Sequence, residues 1–102
     1  MPVAFPVIFT PSARAELIEA QDWYEAEVPG LGRRFRAAID ALVEPMSTNP
    51  RQFPVALKNV RRALLSRFPY SLFFVIEDDD TLLVIACFHA SRNPKKWQKR
   101  IR

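Results

Sequence analysis

The sequence is poor in the residues that build many small-protein sites. Two glycines in 102 residues leave no glycine-rich loop to cradle a phosphate. One cysteine, Cys87, excludes a disulfide within the chain. It lies inside an apolar run, where a thiol reads as a small inert core residue rather than a nucleophile. Cys87 and the lone histidine, His89, are expected on opposite faces of a strand and are too few to build a zinc site. No cofactor motif is present, and none is expected to be needed. No apolar run approaches the roughly 20 residues of a membrane span. The stretch Met1-Pro2-Val3-Ala4-Phe5-Pro6-Val7 lacks the basic start and apolar stretch of a secretion signal. These absences lead to the expectation of a cytoplasmic protein with no membrane contact.

What is present is apolar bulk and uneven charge. Hydrophobic residues make up 49% of the chain, enough for a real core and too many for disorder. The net charge is +4. Residues 1–50 carry four basic groups against seven acidic ones, a net −3, and residues 51–102 carry eleven against four, a net +7. The four acids of the second half are consecutive, Glu77-Asp78-Asp79-Asp80. A basic functional face built on the C-terminal half, or simply a solvated basic surface, accounts for this pattern.

The periodicity divides the chain in two. Val7-Ile8-Phe9 reads as a short strand. Thr10-Pro11 reads as a helix start, because threonine can cap the free N–H groups and proline suits the first helical position. Ala13, Leu17, Ala20, Tyr24 and Val28 then form one stripe, and Pro29-Gly30 breaks the helix. A second helix runs from about Leu31 to Met46 on a stripe of Phe35, Ala38, Ile39, Leu42 and Met46. The short break implies an antiparallel helix hairpin, and Asn49-Pro50 marks a loop.

Three strands are expected next. Leu57 to Leu65 is the first, interrupted after its end by Phe68-Pro69-Tyr70. Ser71 to Ile76 is the second, rich in aromatic and branched residues, and Glu77 to Thr81 is a polar turn. Leu82 to Phe88 is an unbroken apolar run, expected as a central strand covered on both faces. The expected fold is α+β: an N-terminal strand, a two-helix hairpin, then a mostly antiparallel sheet of three strands, all in a single domain spanning 1–102.

The candidate functional residues gather at and beyond the last strand. His89 is a possible acid or base near neutral pH, or a structural histidine at a strand end. Arg92 suits bidentate pairing with a phosphate or a carboxylate. Trp97, among Lys95, Lys96, Lys99 and Arg100, either anchors a partner or caps the sheet edge. Arg61 and Arg62 are consecutive in a strand and must point to opposite faces, while Arg67 sits beside the Phe68-Pro69-Tyr70 bend.

The run Arg61-Arg62-Ala63-Leu64-Leu65-Ser66-Arg67-Phe68-Pro69-Tyr70-Ser71-Leu72-Phe73-Phe74 resembles the middle of RelE/ParE-type toxins. Leu82 through His89-Ala90-Ser91-Arg92-Asn93-Pro94 and Trp97 resembles the close of the ParE-like branch, known as plasmid stabilisation proteins. The helix pair over 11–46 fits that family's hairpin. The resemblance implies a compact toxin held in a hetero-oligomer by a cognate antitoxin that also represses their shared operon. It implies one of two targets. The RelE-like branch cleaves mRNA on the ribosome, which in this chain would fall to Arg61, Arg67, His89 and Arg92. The ParE-like branch poisons DNA gyrase without a catalytic centre. Trp97 stands where nuclease members tend to have tyrosine, and an indole N–H is no general acid at neutral pH. The gyrase branch is therefore the expectation, with Arg67, His89, Arg92, Lys95, Lys96, Trp97 and Arg100 as the contact surface.

Overall fold

The computed structural model describes residues 4–101. The stretch Met1 to Val7, which lacks the pattern of a secretion signal, lies partly outside them. Strand β1 (Val7–Phe9) leads into helix α1 (Pro11–Glu27) and helix α2 (Leu31–Thr48). A short 3-10 turn at Pro50–Gln52 precedes strands β2 (Val55–Leu57), β3 (Val60–Leu64), β4 (Tyr70–Glu77) and β5 (Thr81–His89). A single turn of helix, α3 (Lys95–Gln98), follows. The five strands lie in the order β1-β5-β4-β3-β2, antiparallel except for the parallel pairing of β1 with β5. Among the described residues no helix is long and apolar enough to cross a membrane.

The helix boundaries follow from local chemistry. The Thr10 hydroxyl accepts the Ala13 N–H at 3.1 Å, and Pro11 opens α1. Val28, expected on the inner stripe, is instead the exposed residue that ends the helix. Gly30 adopts a φ of 89°, and the Glu25 carboxylate accepts the N–H groups of Gly30 and Gly32 at 2.9 and 3.0 Å. Glu25 thus joins the end of one helix to the start of the next, and those hydrogen bonds, Gly30's first, hold its carboxyl below the usual 4.5. Gly32 lets the helices touch: a Cβ there would stand 2.7 Å from the Gln21 carbonyl oxygen.

The expected strand over 57–65 is two strands. Lys58 adopts a left-handed φ of 52°, and Lys58-Asn59 turns the chain between Leu57 and Val60. Without glycine or proline there, the reversal left little trace in the sequence. Asp78 and Asp79 also have positive φ, and the Asp80 N–H reaches the Glu77 carbonyl at 3.0 Å. This is the tight mirror-image turn that suits a hairpin.

The sheet has a core on each side. The helix hairpin covers one face, burying Leu17, Phe35, Ile39 and Met46 against Leu72, Phe74, Leu82 and Val84. The other face holds Val60, Phe73, Ile85, Ala86 and Phe88, closed by Trp97. A β-bulge in β5 separates two phases of alternation. Phe73 pairs with Ala86 and Phe74 with Val84, so Ile85 is the extra residue. Ile85 and Ala86 both face outward, and Cys87 returns to the helix side.

Candidate functional site

The bulge decides where the end of β5 points. A regular strand would put residues 83, 85, 87 and 89 on one face. The extra residue turns Cys87 and His89 toward the helices instead. A spacing of two also places both on the same face, which corrects the expectation that they point apart. Both line a groove of about 570 Å³ between α1 and the ends of β4 and β5. Tyr24 and Tyr70 form its aromatic wall, with ring centroids 6.1 Å apart, and Tyr70 meets the His89 ring edge-on at 5.0 Å. Trp23, 58% exposed, stands at the mouth.

His89 is anchored rather than loose. Its Nδ1 accepts the Ser91 N–H at 3.0 Å, and the Ser91 hydroxyl lies 2.8 Å away. In the neutral ring the proton then sits on Nε2. Burial raises the Tyr70 phenol above its usual 10.0, so it stays protonated and is a poor proton donor at neutral pH. Burial, and the Glu16 carboxylate after it, push the Cys87 thiol up to about 12. It carries no thiolate at neutral pH and is no nucleophile.

The three arginines and the histidine of the nuclease reading do not meet in one place. His89 and Arg92 share the groove. Arg61 pairs with Phe74, four residues along β4 from the Tyr70–His89 pair, or about 13 Å at 3.3 Å per residue. Its guanidinium donates to the carbonyls of Phe53 at 2.6 Å and Arg51 at 3.3 Å. Arg67 is exposed, with a left-handed φ of 71°, and lies outside the groove.

Two residues of the expected contact surface are taken up by the fold. Trp97 is 4% exposed and stacks on Phe73 with centroids 4.1 Å apart. It caps the sheet and offers no free ring to a partner. Arg100 pairs with Glu16 through two hydrogen bonds of 3.0 and 2.9 Å and also donates to the Ile85 carbonyl at 2.8 Å. Glu16 in turn accepts the Cys87 N–H at 3.1 Å. Strand β1 accompanies β5 only as far as Val84, so this ion pair satisfies the next stretch of open strand edge. Arg92, Lys95 and Lys96 are exposed, with the Arg92 guanidinium 4.9 Å from the Phe88 ring centre.

Local reading missed Glu16, Tyr24 and Tyr70, and left Arg62 balanced between a functional and a structural role. Tyr24 was readable only as a stripe residue, and Glu16 meets its partner 84 positions away. Arg62 did carry a signal, because consecutive arginines in a strand must face opposite ways.

The comparisons with known proteins agree with this architecture. The model for the ParE toxin of type II toxin–antitoxin systems, parDE, matches residues 7–94. No curated protein sequence matches the chain. Among solved structures it is similar to a chain from the chromosomal ParDE toxin–antitoxin system of P. aeruginosa, at 21% identity and a TM-score of 0.75. That alignment covers 86% of this chain and 98% of the other. It is also similar to a chain of the RelBE toxin–antitoxin complex of Mycobacterium tuberculosis, at 23% identity and a TM-score of 0.61 over 89% and 98% of the two chains. At these identities the structural likeness establishes the fold, and the family match goes further: the chain belongs to the ParE family of type II toxin–antitoxin toxins.

Proposed function

We propose that this toxin is neutralised by a cognate antitoxin in a hetero-oligomer and arrests growth by binding DNA gyrase rather than by catalysis. The observation that carries the reading is the dispersal of the basic residues. Cleaving RNA requires groups that activate the 2′-OH, stabilise the phosphate and protonate the leaving oxygen. Arg61 is committed to backbone carbonyls and Arg67 lies outside the groove, which leaves His89 and Arg92 together. The burial of Trp97 removes it from the argument, because a residue spent on packing says nothing about proton transfer. Arg67, Arg92, Lys95 and Lys96 remain exposed and free for the target, and His89 shares its groove with Arg92. Both solved structures come from toxin–antitoxin assemblies, which supports a partner of that kind here.

One arrangement favours the ribosome-dependent mRNA endonuclease as a second reading: His89, Tyr70 and Arg92 line a single groove. Primer extension on mRNA after induction separates the two. The gyrase reading expects growth arrest with no new cleavage ends, relieved by co-expression of a cognate antitoxin. New ends that vanish in His89→Ala would replace it with the nuclease reading.

A further inference from the structure

Strand β1 is an edge of the sheet, and its outer side is open over one short stretch. Its bonds to β5 run through alternate residues. The Pro6 carbonyl accepts the Leu82 N–H and the Thr10 N–H donates to the Val84 carbonyl, both at 2.9 Å. Ile8, between them, faces β5 in the same way. The N–H and C=O groups of Phe5, Val7 and Phe9 therefore point away from the sheet. Ser47 takes up those of Phe5: its carbonyl accepts the Phe5 N–H at 2.9 Å, and its hydroxyl donates to the Phe5 carbonyl at 2.6 Å. Among the described residues, Val7 and Phe9 have no such partner on that side. Ile8 is 53% exposed. The opposite edge of the sheet is guarded, because the register of β2 is irregular and Lys58 follows it. β1 carries neither bulge nor charge, and a bare edge invites another strand.

The edge also limits what can pair with it. Ser47 blocks it at Phe5, and α1 begins at Pro11, so the strand that fits between them is short and turns away at once. β1 is itself such a strand: it has 3 residues, and Thr10-Pro11 turns it straight into a helix. We propose that a second copy of the chain occupies this edge, its β1 antiparallel to the first across a two-fold axis at Ile8. Val7 of each copy then exchanges two hydrogen bonds with Phe9 of the other, and the two Ile8 side chains meet as a close, non-hydrogen-bonded pair. A two-fold contact must be self-complementary, and the charges beside β1 meet that condition. Arg14 lies one turn into α1, beyond the end of β1, while Glu44 lies one turn before Ser47, beside its start. Antiparallel pairing sets each Arg14 toward Glu44 of the other copy. Both are exposed, and neither has an ion-pair partner in its own chain among the described residues. The contact is small against the roughly 800 Å² a side of a stable interface, so the dimer is a weak one that forms at micromolar concentrations and above. Nothing in it depends on the toxin's target.

Sedimentation equilibrium over a range of protein concentrations tests this, read beside hydrogen exchange at single amides. The apparent mass should rise with concentration from 11.8 kDa toward twice that value. Protection of the Val7 and Phe9 amides should rise in step. Ile8→Lys sets two like charges opposite each other and should leave a monomer at every concentration. Ile8 is exposed, so the fold should be kept, as unchanged amide spectra away from β1 would show. Val7→Pro removes an N–H that no bond to β5 uses, so it too should fold and stay monomeric. Arg14→Glu should weaken association about tenfold, and Arg14→Glu/Glu44→Arg should restore it. A wild-type chain that keeps the monomer mass up to millimolar concentration overturns the proposal. Association of Ile8→Lys as strong as that of the wild type does the same, because it moves the contact elsewhere. So does protection of Val7 and Phe9 in a one-to-one complex with an antitoxin while the toxin alone stays monomeric, which gives the edge to that partner instead.

Discussion

On its helix-covered face the sheet meets Phe35, Ile39 and Met46, all fully buried, while on the other face it meets little more than Trp97 and a short tail. The arginines divide in a similar way. Arg61 and Arg100 are bound to carbonyls and to Glu16, whereas Arg62 and Arg92 flank an open groove. Charge that completes the sheet edge serves the fold, and charge left along the outer groove is free for a partner. The difference teaches that a basic C-terminal half is not one functional surface. Part of it replaces a missing strand, and sequence position alone does not say which part.

Substitutions on the two faces should therefore differ most in stability. Phe35→Ala empties a fully buried site packed on Tyr24, Phe68 and Tyr70 and should cost about 3–5 kcal/mol in urea unfolding. Leu64→Ala on the outer face should cost less than about 0.5 kcal/mol. Equal costs would break the comparison.

The arginines give the next largest contrast. Arg100→Ala leaves the Glu16 carboxylate, 15% exposed, without its cation and should cost about 2–3 kcal/mol, discounted for partial exposure. Arg92→Ala loses only an exposed contact with Phe88, which is worth less than about 1 kcal/mol. Thermal unfolding of the two variants side by side measures the gap.

Gly32→Ala probes how tightly the covering helices are joined. The added carbon would press on the Gln21 carbonyl and the Glu25 side chain, so a loss of about 1–2 kcal/mol is expected. A stabilised variant would mean that the hairpin is looser than its geometry.

Glu25 gives the smallest effect, and it is readable through pH. Its carboxyl is held below 4.5 in the folded state, so the stability it contributes is complete above 4.5 and is lost as pH falls through the lower, folded value. Glu25→Gln should remove that part of the acid sensitivity. An unchanged profile of unfolding midpoint against pH from neutral to acid would show that the Gly30 and Gly32 hydrogen bonds contribute nothing.

Much of the architecture was legible because it is periodic. The stripe through Phe35, Ile39 and Met46 and the punctuation at Thr10-Pro11 and Pro29-Gly30 placed both helices to within a few residues. The site was less legible because its decisive features are not local. An unbroken run from Leu82 to Phe88 hides the bulge at Ile85, which depends on pairing with β4 and alone decides where His89 faces. The Glu16–Arg100 pair closes over 84 positions, so Arg100 read as a free tail charge. Trp97 kept two readings in the sequence, and only Phe73 beneath it chose between them.

The central claim is that the exposed charge serves binding, without chemistry. Its most direct test is DNA supercoiling by purified gyrase titrated with the wild-type protein. The account predicts inhibition that grows with the ratio of toxin to gyrase and levels off once gyrase is saturated. Full supercoiling activity at micromolar toxin would contradict it.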